Sequence, residues 1–293
     1  MAPTPASSLA GSLAPAAVDR YQRDGFLFPL NVFDAAETAR HRAAIEALEA
    51  RDDPALPRPL GQYFRVNAHY VLPLAVELAL TPKILDIVGS ILGPDLLVWS
   101  CEFFIKEAGT PKIVSWHQDL TYWGLGETDG EMTAWLALSP ATPKSGCMRF
   151  VAGSHRKHIQ PHKDTFNADN LLSRGQELAV AVDEADATDV VLEPGQMSLH
   201  HGRMFHASGP NHSDDRRIGV AIRYVTPAVR QIVGKRDYAM LARGMDRDRN
   251  WINVAPPGGN FEPAALARYE TILADQTEAL SAGAAQPVGL YAT

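Results

Sequence analysis

The chain has little that would tie it to a disulfide scaffold, a membrane or a nucleic acid. Of 293 residues only two are cysteine, Cys101 and Cys147, and they form no CxxC or zinc-finger spacing. A chain of this length needs no disulfide framework, so a reducing cytoplasm is the expected compartment. No uncharged apolar run approaches the ~20 residues that span a bilayer, and the greasiest stretch, Val71 to Leu80, is broken by Pro73 and Glu77. Positive charge is also in deficit: 27 Lys and Arg against 34 Asp and Glu give a net charge of −7. Such a balance disfavours partners with anionic surfaces and leaves a small molecule as the expected partner. Residues 1–18 are rich in Ala, Ser and Pro, lack the charged start and apolar core of a signal peptide, and read as a flexible extension. Residues 19–293 read as a single domain, and oligomeric state is not legible.

What is present is 46% hydrophobic and 21% charged sequence, ample for a core. The first third reads as helical. A short strand over Phe26 to Leu30 precedes Asp34-Ala-Ala-Glu37, which has capping-box form and opens a helix running to Ala50. Thr81 and Pro82 open a second helix whose apolar positions Ile84, Leu85, Val88, Ile91 and Leu92 keep helical spacing until Gly93. From Leu96 the texture becomes short runs of Val, Ile, Phe and Trp between Gly, Pro and Asp clusters, which predicts strands over Leu96–Lys106, Ser115–Asp119, Met132–Leu138, Cys147–Val151, Val190–Leu192, Gln196–Leu199 and Arg217–Thr226. A polar excursion fills Gly153 to Thr188, and a helix from Pro263 to about Leu280 closes the pattern. Helices followed by many short strands, without strict βαβ alternation, predict a mainly β protein with flanking helices around a jelly-roll, cupin-like double-stranded β-helix core.

Within that pattern, Ser115-Trp-His-Gln-Asp119 would place His117 and Asp119 on one face of a strand, because side chains two apart point the same way. An imidazole and a carboxylate that converge need one more histidine to make the 2-His-1-carboxylate triad that holds Fe(II) and leaves neighbouring positions open. His206 is the preferred third member, 89 residues downstream and just beyond the apolar strand ending at Leu199, with His200 and His201 as competitors. His155, His158 and His162 also cluster, but without the carboxylate or thiolate partner of a zinc motif, and His155 reads as structural. In Arg217 to Tyr224 the residues alternate: Ile218, Val220, Ile222 and Tyr224 on one face, Arg217, Gly219, Ala221 and Arg223 on the other. Small residues beside an arginine outline a cavity with a cationic end, suited to a carboxylate; an edge strand with two solvated arginines fits the alternation equally.

Taken together, Trp116–Trp123, Thr133–Leu138, Gly146–His155, Glu193–Met197, His206–Asn211 and Arg216–Gly219 resemble, in order, the motifs of the phytanoyl-CoA hydroxylase-like family of Fe(II)/2-oxoglutarate dioxygenases. The resemblance implies iron ligands at His117, Asp119 and His206, and a 2-oxoglutarate anchor eleven residues after the distal histidine, which is Arg217 rather than Arg216. It also implies that Gln118, Trp135 and Ser208 lie beside 2-oxoglutarate. The implied reaction consumes O2 and 2-oxoglutarate, releases succinate and CO2, and hydroxylates an unactivated C–H bond of a small polar metabolite or natural-product intermediate. Chlorinating relatives carry Ala or Gly at the carboxylate position, and Asp119 here favours hydroxylation. For the substrate, Glu102, Tyr122, Trp123, Asn67 and His69 are candidate pocket residues, with Arg65 alongside Asn67 and His69 in a candidate lid. The rival reading is a cupin-like metal protein with a non-redox isomerase or ligand-binding role.

Overall fold

The computed structural model describes residues 11–51 and 53–281. The part of the expected N-terminal extension before residue 11 lies outside the described residues. Its end does not stay irregular, because Pro15 opens helix α1 (Pro15–Asp24), where a missing N–H and a fixed φ cost nothing at the first helical position. Gly25 ends α1 at φ 81° and returns its N–H to the Tyr21 carbonyl. A Cβ there would sit 2.3 Å from the His155 ring, so this turn needs glycine.

Strand β1 (Phe26–Asn31) and helix α2 (Ala35–Glu49) follow. The Asp34–Glu37 capping box forms as expected, with both reciprocal hydrogen bonds in place at 2.8 and 2.9 Å. Helices α3 (Leu60–Arg65), α4 (Pro73–Ala79) and α5 (Pro82–Leu92) complete the helical part. Of these the periodicity marks α5, whose Ile84, Leu85, Ile87 and Val88 are buried. The two shorter helices, of six and seven residues, are too brief to show a period.

The β region contains β2 (Leu96–Lys106), β3 (Val114–His117), β4 (Glu131–Ala137), β5 (Met148–Val151), β6 (His162–Asp164), β7 (Gln176–Leu178), β8 (Ala187–Asp189), β9 (Gln196–His201), β10 (His206–Ser208), β11 (Arg217–Val225), β12 (Tyr238–Arg243) and β13 (Ile252–Asn253), before helix α6 (Pro263–Ser281). Seven strands form a large sheet in the order β1-β9-β4-β11-β2-β12-β13, and β3-β10-β5-β8 form a smaller one opposite it. This is the jelly-roll core with flanking helices. Among the described residues no helix is long and apolar enough to cross a membrane.

Three expectations are corrected. Strand β3 stops at His117, and Asp119 opens a single 3-10 turn, Asp119–Thr121, so the two residues do not share a strand. Val190 and Leu192 are buried and Val191 is exposed, but the stretch is not a strand: β8 lies just before it, and Leu192 makes one isolated bridge to Ala141 as the chain passes between sheets. The polar excursion carries the β6–β7 hairpin. Strand β11, by contrast, is central and buried along all nine residues, which removes the edge-strand reading of its arginines.

The large sheet has two faces of opposite character. Ile218, Val220, Ile222 and Tyr224 join the core shared with α5 and α6. Arg217 and Ala221, with Trp135 and Glu102 from neighbouring strands, face the cavity between the sheets. Cross-strand register aligns this inner face in rows: Lys106 opposite Arg217, and Ser100, Arg223, Thr133 and His200 side by side across four strands.

Candidate metal centre

Antiparallel pairing of β3 and β10 sets His117 directly opposite His206, with ring centroids 4.0 Å apart. Each imidazole is fixed by its Nδ1, which donates to main-chain carbonyls: that of His117 to Ser115 at 2.9 Å and His206 at 3.1 Å, that of His206 to Met204 at 3.0 Å. This tautomer leaves both Nε2 lone pairs aimed inward, the usual support of a metal-binding histidine. Asp119 reaches the same point from its turn. Its Oδ1 lies 3.3 Å from His117 Nε2 and 3.9 Å from His206 Nε2. One ligand atom from each of the three residues falls within 4.8 Å of the others.

Burial alone would raise the Asp119 pKa, but the imidazoles of His206, His117 and His200, with the Arg223 guanidinium, outweigh it and hold the carboxyl well below its usual range. Burial, reinforced by His117, holds His206 well below the normal imidazole value. The centre is thus an ionised carboxylate and imidazoles with free lone pairs, a donor set that fits a divalent iron.

Along the cavity from this centre, Arg217 is 1% exposed, its guanidinium 5.2 Å from the Trp135 ring, its Nη1 donating to the Gly146 carbonyl at 2.6 Å and its Nε without a partner. Trp135 lies flat across Gly219, where a Cβ would come within 1.9 Å of its ring, so the small residue makes room for an aromatic floor rather than for open space. Lys106 projects from the register position opposite Arg217 and donates to Ser208 Oγ at 2.8 Å and to the Gly209 carbonyl. Among the described residues neither cation has a carboxylate partner. Burial pushes Arg217 down to about 10, and burial reinforced by Arg217 pushes Lys106 down to about 6. A buried guanidinium without a carboxylate partner, beside an amine that an arriving anion can reprotonate, forms a site for an anion.

The other expected residues divide. Glu102, Tyr122, Trp123 and Asn67 line the cavity. Glu102 is paired with Arg223 at 3.0 Å, and Arg223 lies over Trp123 at 4.6 Å. Asn67 donates to Gln276 at 2.7 Å, while Tyr122 lies under the Arg174 guanidinium at 4.4 Å. Ser208 and Trp135 also line it. Gln118 does not: its amide donates to the Arg203 carbonyl at 3.0 Å and accepts from Gln160 N at 2.7 Å, which ties it to the loop behind the centre. His69 is not a lid residue either. It is fully buried against the Tyr70 ring at 3.9 Å, away from the cavity, and burial lowers it to about 3. Arg65 stacks over Phe104 at 5.3 Å and donates to the Leu171 carbonyl. His201 turns from the centre toward Asp129, 3.1 Å away. Sequence reasoning missed Lys106 and Arg223 as site residues, although Glu102, Phe104 and Lys106, two apart on β2, carried the same alternation that singled out Arg217.

Comparison with known proteins agrees with this geometry. A solved non-heme monooxygenase, ThoJ in its apo form, is 35% identical with a TM-score of 0.79, over 91% of this chain and 98% of that one. CytC3 with Fe(II) and alpha-ketoglutarate shares the fold at 24% identity and a TM-score of 0.65, over 86% of this chain and 98% of that one. A probable alpha-ketoglutarate-dependent hypophosphite dioxygenase of Stutzerimonas stutzeri is 27% identical over 175 residues, 59% of this chain and 60% of that protein. The chain spans about half the length of the curated relatives it matches, from 43% to 60%. The family model for phytanoyl-CoA dioxygenase matches residues 21–219, which run from α1 through both histidines and the aspartate to Arg217 and Gly219. By that match the chain is a member of the phytanoyl-CoA dioxygenase family.

Proposed function

We propose that this protein is an Fe(II)/2-oxoglutarate-dependent dioxygenase that hydroxylates a C–H bond of a small polar metabolite or natural-product intermediate. The observation that carries the reading is buried Arg217, without a carboxylate partner among the described residues, in the same cavity as the His117–Asp119–His206 cluster, with Lys106 opposite it in the sheet register and hydrogen-bonded to Ser208 of the cavity wall. A metal site that only polarises a ligand has no need of a second, cationic anchor, which disfavours the non-redox cupin reading.

In this reading His117, Asp119 and His206 hold the iron on one side and leave the cavity side open to cosubstrate. Bound there, iron would supply the oxidation of a C–H bond by O2, coupled to decarboxylation of 2-oxoglutarate to succinate. Arg217 holds the far carboxylate of 2-oxoglutarate by its planar fork, and Lys106 and Ser208 give it a second cation and a hydroxyl. Trp135 supports the cosubstrate's side and excludes water from it. At the other end of the cavity, Glu102, Arg223, Tyr122, Trp123 and Asn67 are the surfaces a substrate meets. The two buried free thiols support a reducing, cytoplasmic setting.

The test is an anaerobic titration of the Fe(II)-loaded protein with 2-oxoglutarate, followed in the visible for the charge-transfer band of the chelate, then a substrate panel scored for succinate. Absence of that band, with iron bound, refutes the reading.

A further inference from the structure

His200 is a buried histidine in the cavity wall with no part in the function proposed above. It projects from β9 at the end of the row Ser100, Arg223, Thr133 and His200, and is 1% exposed. Among the described residues neither of its ring nitrogens has a hydrogen-bond partner within 3.5 Å. Its ring packs 5.0 Å from that of Phe150 and 4.8 Å from that of His206, an environment in which an apolar ring would serve packing equally well. Burying two ring nitrogens without partners is unfavourable, so the imidazole needs a polar reason to be there.

The reason lies in how Asp119 divides its two oxygens. Oδ1 faces the Nε2 atoms of His117 and His206, at 3.3 and 3.9 Å, whereas Oδ2 faces Nε2 of His200 at 3.6 Å. We propose that His200 is a positioning residue for the metal centre: its Nε2–H engages Oδ2 of Asp119, so that the carboxylate offers the metal one oxygen and not two. The proposal rests on the function proposed above. A carboxylate whose second oxygen is unengaged can turn to bind a metal through both, and the position so taken is one that cosubstrate needs. The 3.6 Å separation is just beyond hydrogen-bond length, and contacts of this kind tighten when a centre is loaded.

Two variants separate this role from packing. His200→Phe keeps a ring against Phe150 and His206 but removes the donor; His200→Gln removes the ring but places an amide N–H at a similar reach. Fe(II) affinity is measured anaerobically by competition with a chromogenic chelator, 2-oxoglutarate affinity through the charge-transfer band, and folding by thermal unfolding of the metal-free proteins. The expected result is 2-oxoglutarate bound about 10- to 100-fold more weakly by Fe(II)-loaded His200→Phe, with Fe(II) still bound and metal-free unfolding at or above the wild-type temperature, and both affinities close to wild type in His200→Gln. Wild-type iron and 2-oxoglutarate affinities in His200→Phe would overturn the proposal, as would loss of iron in His200→Gln but not in His200→Phe, the pattern of a packing residue. A wild-type protein that takes up no Fe(II) would overturn the proposed function itself, a result separable from any difference between the variants.

Discussion

Truncating Arg217 separates a 2-oxoglutarate enzyme from a metal-binding jelly roll most sharply. In Arg217→Ala the far carboxylate of the cosubstrate would face a cavity wall that is 1% exposed in the parent, without the guanidinium that meets it. Removing one partner of a buried charged pair costs about 2–5 kcal/mol. Lys106 moves the figure toward the low end: it stands opposite Arg217 in the sheet register, and the Arg217 charge helps hold its pKa down to about 6. With Arg217 gone, Lys106 takes up a proton more readily and supplies part of the lost charge. A loss of about 2–3 kcal/mol follows, or roughly 30- to 150-fold in 2-oxoglutarate affinity at 1.4 kcal/mol per decade. Arg217→Lys should fall between, because it keeps a point charge but loses the fork that also donates to the Gly146 carbonyl. Arg216→Ala is the control. Its side chain pairs with Glu49 and Glu107, each at 2.8 Å, so it should lower stability by about 1 kcal/mol or less and leave cosubstrate binding alone. The assay is the direct Kd of the iron-loaded protein for 2-oxoglutarate, beside the apparent KM from succinate release. Equal affinity in wild type and Arg217→Ala would refute the cosubstrate assignment.

Three further outcomes are expected. His117→Ala and His206→Ala should each abolish stoichiometric iron binding, and His201→Ala, whose ring faces Asp129, should keep it; metal analysis after anaerobic loading and desalting decides. Asp119→Gly should end efficient hydroxylation while opening the ferrous site to chloride or azide, seen as an anion-dependent spectral change, and undiminished hydroxylation would remove Asp119 from the ligand set. Lys106, neutral above about pH 6 in the free protein, should regain its proton when the dianion arrives, so 2-oxoglutarate binding should weaken as pH rises above that value, with proton uptake in calorimetry across buffers of different ionisation enthalpy. Its effect on folding has a definite sign: the unfolded chain keeps the proton up to about 10.5, the native chain only to about 6, so this group makes stability rise with pH between them, and Lys106→Met should flatten both profiles.

How much of this was legible in the sequence depended on whether a residue's role follows from local period. The Asp34–Glu37 cap, α5 and the two faces of β11 follow from spacing alone, and the structure reproduces them. Asp119 was legible as a candidate ligand but not in its placement, because a 3-10 turn of three residues carries no period to read. Val190–Leu192 looks like a strand because both ends are buried, yet burial there comes from crossing between sheets, while the paired strand beside it, Ala187–Asp189, is short and exposed enough to look like loop. His69 and Gln118 show the converse. Polar types in a plausible place, they are drawn away by an aromatic stack and by main-chain amides that no nearby residue announces.

Alternation on β11 could not distinguish Arg217 from Arg223, since both lie on the inner face, six residues apart. What distinguishes them is the neighbouring strand. Opposite Arg217 the register sets Lys106, which leaves the guanidinium charge uncompensated; near Arg223 it sets Glu102, which neutralises it at 3.0 Å. One end of the cavity therefore carries net positive charge and calls for an anion, while the other presents a balanced ion pair beside Trp123 and leaves a ligand little net charge to answer. With the His117–Asp119–His206 cluster lining the same cavity, the charge asymmetry would order the ligands of the proposed function: the dianionic cosubstrate at the Arg217 end, and the molecule to be oxidised approaching from the Glu102–Arg223 end. Exchanging Glu102 for Gln would unbalance the second end without touching the first, so it should alter the substrate KM and leave 2-oxoglutarate affinity where it was. A change in both would mean that the two ends are not separate.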